Sequence, residues 1–213
     1  MKKVIIILDR AHGEGVAGKE SLDGKFKEWQ ASQSTIEKLS KGLEKLGIPC
    51  AVTVEETTEP GFNERVKRAN EAGDGYEVPV FISLHHNAHD RIFKARGSEI
   101  YVSRRTATKE SKEIANIIAE NLIKDFPEMP WRKEWPDRLE REANFAVLVG
   151  TDKVKPAYHG VLVEFGFMSN EEDLKLLKSK SFMKRYAESL LYAITQICAH
   201  FGAGNFTPEI RVK

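Results

Sequence analysis

Short apolar runs alternate along the chain with stretches in which apolar residues recur every three or four positions. Val4-Ile5-Ile6-Ile7-Leu8 is a continuous and mostly β-branched run, the pattern of a central strand covered on both faces. A polar, glycine-bearing loop over 9–25 follows it. From about Phe26 the period changes: Ile36, Leu39, Leu43 and Leu46 step along one helical face until Gly47 stops it, with Pro49 just beyond. A short strand over 51–54, a helix over 63–72 and an apolar strand over 78–84 come next, the last running into His85-His86-Asn87-Ala88-His89. A strand over 98–102 leads into a helix over 108–124 that carries Ile114, Ile117, Ile118 and Leu122 on one face. Segment 126–141 is poorly periodic, with Pro127, Pro130, Pro136, Trp131 and Trp135, and reads as a surface excursion. Strands over 146–149 and 161–164, a helix capped by Asn170 with Asp173 three residues on, and a final helix over 182–201 complete the pattern.

Strands that alternate with helices predict one α/β domain, with a mostly parallel, mixed, twisted sheet of about six strands and helices on both faces. Ligand sites in such folds gather beyond the carboxyl ends of the strands. A length of 213 residues suits one such core. The expected boundaries are 1–202 for the domain and 203–213 for a loosely held tail.

Composition narrows the class. The 33 basic residues nearly balance 32 acidic ones, so nothing asks for nucleic acid or an anionic membrane as partner. The apolar run after Met1-Lys2-Lys3 imitates a signal peptide, but Asp9 and Arg10 end it too early for secretion or for membrane insertion. Cys50 and Cys198 lie far apart, without the close spacing of a metal knuckle or a redox pair. A monomer whose function resides in a local site is the expectation.

His12, His85 and Glu164 stand just after, or at the end of, predicted strands. A catalytic zinc site takes about three protein ligands, commonly imidazole and carboxylate, and leaves a position open for water. A lone loop histidine is usually just solvated, and it is the pair His12 and His85 that gives a metal reading. Glu28, at the start of the helix leaving the first loop, is the third candidate, with Glu14 and Glu20 as rivals by spacing. An acid in a first turn is most often there for the helix dipole. Glu164 ends an apolar strand, where a carboxylate is costly unless it is paired, exposed in a cleft or functional. His86, His89, His159 and His200 are expected on loops or helix surfaces, and Asn87 is expected to bond to backbone in its turn.

Segments in this order resemble the zinc-dependent N-acetylmuramoyl-L-alanine amidases of type 3, and the resemblance spans residues 3–201. They are Ile6-Ile7-Leu8-Asp9-Arg10-Ala11-His12-Gly13, Gly24-Lys25-Phe26-Lys27-Glu28, Phe81-Ile82-Ser83-Leu84-His85-His86-Asn87-Ala88 and Val161-Leu162-Val163-Glu164-Phe165-Gly166-Phe167-Met168-Ser169-Asn170. The third is preceded by Arg65-Val66-Lys67-Arg68-Ala69-Asn70. The resemblance implies a zinc ion held by His12, Glu28 and His85, with Glu164 as the catalytic acid–base. Arg10-Ala11 stands where proline or asparagine and then glycine are more usual, Glu14 where a second glycine is common, and His86 where a small residue is usual. These departures bear on the shape and charge of the pocket and leave the ligands in place.

The implied reaction is hydrolysis of the amide between the lactyl group of N-acetylmuramic acid and L-alanine, so the expected partner is peptidoglycan. The same groups would serve a peptidase acting on the stem peptide, and a silent wall-binding protein is the alternative from another class. Trp131 and Trp135 suit either sugar stacking or packing. The substrate lies outside the cytoplasm, which without a signal peptide suggests a trimmed chain or a phage-type lysis enzyme.

Overall fold

The amino-terminal apolar run is strand β1 (Val4–Arg10), buried along its whole length. Its alternate residues explain why no polar position interrupts it. Val4, Ile6 and Leu8 belong to one apolar layer, whereas Ile5 and Ile7 belong to a second on the other face of the sheet. The computed structural model describes residues 1–89, 94–134 and 136–206, so Trp135 and the end of the expected tail lie outside the described residues.

Helix α1 (Glu28–Lys45) follows the first loop, then β2 (Cys50–Val52), α2 (Phe62–Gly73), β3 (Val78–Asn87) and β4 (Ser98–Ser103). Helix α3 (Lys109–Asp125), β5 (Arg141–Ala143), α4 (Ala146–Val149), β6 (His159–Phe167), α5 (Glu171–Leu177) and α6 (Lys180–His200) complete the order. The strands form a six-stranded sheet in the order β2-β1-β3-β6-β4-β5. All neighbours are parallel except β4 and β6.

The larger apolar layer packs α1, α3 and α6 against one face, and the smaller one packs α2 and α4 against the other. Phe165 of β6 stacks on Tyr186 of α6 with ring centroids 3.9 Å apart, and Phe126 and Phe182 close the same aromatic group. Both cysteines are free.

Several expectations are corrected. Segment 146–149, expected as a strand, is the single helical turn α4. A short apolar run does not by itself distinguish strand from helix, and here Gly150 closes the turn at φ 77°, where a Cβ would lie 2.5 Å from the Val154 carbonyl oxygen. Arg141–Ala143, which starts at the last residue of the expected excursion, pairs with β4 as the sheet's last strand. Trp131 packs against the larger layer and donates from Nε1 to the Leu139 carbonyl, so packing accounts for it.

Asn170 caps α5 as expected, accepting from the amides of Glu172 and Asp173 at 3.0 and 3.2 Å. Losing such a cap costs about 1 kcal/mol. Asn170→Ala should therefore lower the melting temperature by about 2–4 °C, and calorimetry showing no change would remove the cap from the account.

Candidate active site

The site gathers at the carboxyl edge of β1, β3 and β6. β1 hands the chain to His12, whose φ of 38° is a left-handed conformation that side chains other than glycine seldom take. The loop then returns to Glu28, the first residue of α1, which is buried at 2% exposure. His85, near the end of β3, is the direct parallel register partner of Glu164 on β6, so both side chains project from the same face.

Glu28 holds the three-residue group together. Its Oε1 lies 2.9 Å from His85 Nδ1 and accepts the His86 amide at 3.2 Å, while its Oε2 lies 3.8 Å from His12 Nε2. The two imidazole rings meet edge to face, with centroids 5.2 Å apart. One ligand atom from each of His12, Glu28 and His85 lies within 4.8 Å of the others, and among the described residues this is the group of such side chains that fits a metal ion. Glu14 and Glu20, rivals by spacing, are exposed and outside it.

A pocket opens beside this group, lined by His12, His85, Glu164, Lys19 and Arg65 on its polar side and by Phe62, Phe145, Val147 and Leu162 on its apolar side. Glu164 opens partly onto that pocket, yet its Oε2 is sealed from solvent and has no hydrogen-bond partner among the described residues. Burial, reinforced by the charge of Glu28, holds the Glu164 carboxyl well above the usual carboxylate range. Burial also lowers the His12 imidazole against the pull of Glu28, favouring the neutral ring that a metal requires. Burial would raise Glu28, but the hydrogen bond and charge of His85 and the charge of His12 outweigh it and leave this carboxyl ionised.

His86 corrects another expectation. It is not a loop residue but lies buried in β3, facing away from the pocket among Phe26 and Tyr186, with Nδ1 2.6 Å from the Phe165 carbonyl oxygen. Asn87 donates to the Glu99 carboxylate at 3.1 Å rather than to backbone. Glu99, opposite Glu164 on β4, also accepts from Tyr101, Arg132 and Arg141. Residue spacing gave no sign of Glu99 or Lys19, because each sits at an ordinary polar position.

An α/β sheet with a carboxylate and two imidazoles gathered at its edge, beside a glutamate whose Oε2 has no partner among the described residues, is an arrangement that a hydrolase can use. The model of the N-acetylmuramoyl-L-alanine amidase family, type 3, matches residues 6–196, and the chain belongs to that family. Membership makes the protein an amidase whose activity concerns peptidoglycan.

Solved structures agree in fold. The catalytic domain of CwlV, an N-acetylmuramoyl-L-alanine amidase from Bacillus (Paenibacillus) polymyxa var. colistinus, matches with a TM-score of 0.75 at 23% identity, covering 93% of this chain and 99% of that one. An N-acetylmuramoyl-L-alanine amidase from Clostridium difficile 630 gives 0.79 at 22% identity, covering 95% and 100%. AmiC2 of Nostoc punctiforme gives 0.76 at 21% identity, covering 92% and 97%. A search of curated protein sequences finds no match to the chain.

Proposed function

We propose that the protein hydrolyses the amide joining the lactyl group of N-acetylmuramic acid to L-alanine in peptidoglycan, using zinc held by His12, Glu28 and His85 and the carboxyl group of Glu164. The carrying observation is the grouping of the three donor atoms within 4.8 Å of one another, with His12 and His85 lining the pocket that Glu164 also lines. Two imidazoles and one carboxylate are the donor set of a catalytic zinc centre. The unpartnered Oε2 of Glu164 fits the same reading, since a carboxylate that must exchange protons cannot be tied up in an ion pair. When bound, zinc supplies a positive charge that activates water and polarises the scissile carbonyl.

The chain's own residues do the rest. Glu28 lies between both histidines, with its carboxylate oxygens 2.9 Å from His85 Nδ1 and 3.8 Å from His12 Nε2, and would share the ion with them. Glu164 takes the proton of the attacking water and delivers it to the amine nitrogen of L-alanine, which a poor amide leaving group requires before the bond breaks. The apolar wall of Phe62, Phe145, Val147 and Leu162 limits water around the reacting bond. Residues 1–202 form the proposed catalytic unit, closed by a hydrogen bond from the Lys2 amide to the Gly202 carbonyl at 3.1 Å. No helix among the described residues is long and apolar enough to cross a membrane.

Digestion of purified peptidoglycan, with products identified by mass spectrometry, tests the reading. The expected products are lactyl-bearing glycan and stem peptides with a free L-alanine amine. Prior treatment with a strong zinc chelator should reduce release to background, and added zinc should restore it. Shortened stems still attached to muramic acid would turn the assignment to a peptidase, and activity indifferent to chelation would remove zinc from it.

A further inference from the structure

We propose that Glu59 is a positioning residue for the metal centre: its carboxylate accepts the Nδ1 hydrogen of His12 and so presents Nε2 of that ring to the ion. The inference rests on the zinc reading above. His12 Nδ1 lies 3.2 Å from Glu59 Oε1, while Nε2 faces Glu28. An imidazole that gives its second ring hydrogen to a carboxylate is fixed in tautomer and orientation and becomes a stronger ligand.

The backbone around the pair is built to hold it. His12 adopts its left-handed conformation at a cost that persists only where the surroundings enforce it. Here they do. A Cβ on Gly13 would fall 2.3 Å from the Glu59 amide nitrogen, so the segment over 56–59 lies flush on the His12 turn. The Glu14 amide donates to the Thr57 carbonyl at 2.8 Å.

Arg10, fully buried, clasps the same segment from below. Its Nη2 donates to the carbonyls of Glu56 and Thr58 at 2.7 and 3.1 Å, and its guanidinium lies over the Trp29 ring at 5.4 Å. Arg65 reaches the same carboxylate oxygen, with Nη1 3.7 Å from Oε1. The departure from the usual residue at position 10 thus acquires a purpose: an arginine fork carries the loop that carries Glu59.

The test is zinc affinity, measured by competition with a chromogenic chelator, for the unmodified protein, Glu59→Ala and Glu59→Gln. Loss of a carboxylate behind a ligating histidine weakens zinc about 10–100-fold. Glu59→Ala should show that loss, while the melting temperature of its metal-free form stays at the unmodified value. Glu59→Gln, whose amide oxygen still accepts from Nδ1, should recover part of it. Glu59→Ala binding zinc as tightly as the unmodified protein overturns the inference alone, as does a loss of affinity matched by an equal loss of metal-free stability. An unmodified protein that takes up no zinc overturns the metal reading and this inference with it.

Discussion

Glu164→Gln should lower turnover of peptidoglycan about 10²–10⁴-fold, the usual contribution of a positioned acid–base group, while zinc affinity stays at the unmodified level. The direction of the stability change separates this role from a structural one. Oε2 of Glu164 is sealed without a partner among the described residues, and burial penalises the ionised carboxylate. A neutral amide of the same shape removes that penalty, so the melting temperature should hold or rise. A structural glutamate would show the reverse, with stability falling and residual activity following the folded fraction. Turnover kept within about tenfold of the unmodified enzyme would exclude Glu164 as the proton carrier.

Arg65→Ala should destabilise the fold by about 3–5 kcal/mol, because it leaves the carboxylate of Asp9 buried and unpaired. Asp9 and Arg65 are both fully buried, beneath the turn that carries His12. Arg65 grips Asp9 through Nε and Nη2 and also donates from Nη2 to the Arg10 carbonyl at 2.7 Å. Ser83 and Thr53 satisfy the remaining lone pairs of Asp9. For a domain of this size the loss corresponds to a melting temperature lower by about 6–20 °C.

The pH dependence follows from the sign of the Asp9 shift. Burial raises that carboxyl, but Arg65 and the hydrogen bonds outweigh burial and hold it below its ordinary value. The pair's contribution is therefore complete above the unfolded carboxyl's pKa near about 3.9 and is lost as pH falls through the lower folded value. In Arg65→Ala burial is opposed only by the Ser83 and Thr53 hydrogen bonds and the Asp9 pKa rises, so the variant sheds its penalty as the medium is acidified. The stability gap between the two proteins should narrow from neutral pH toward pH about 4. Denaturant melts showing a constant gap, or one below about 1 kcal/mol at neutral pH, would contradict the assignment, since breaking a buried pair costs several times that.

Much of this architecture is written in local pattern. The unbroken run of β1 and the three-four stepping of α1 and α3 follow from which faces are covered, and both covered faces are present. His12 and His85 stand out because each follows or ends a strand, whereas Glu28 is set apart from Glu14 and Glu20 only by the family resemblance, and the structure brings the three together.

What pattern did not carry depends on distant partners. Which of two adjacent histidines faces the pocket is decided by how far β3 continues, and it runs past both, with an irregularity between His85 and Asn87. The one-turn helix α4 takes its shape from Gly150 and the chain packed against it. Glu59 sits in a loop whose placement depends on the buried fork of Arg10, and no periodicity in the loop reports that contact.

The strand order carries a consequence for synthesis. β6 lies between β3 and β4, although β4 and β5 precede it in the chain, so the first three strands and the next two share no sheet until β6 enters. Such late, long-range closure is the slow step of sheet assembly. The strand that closes the sheet is also the one that delivers Glu164. A chain that ends before β6 therefore lacks Glu164 and leaves its strands in two unjoined groups.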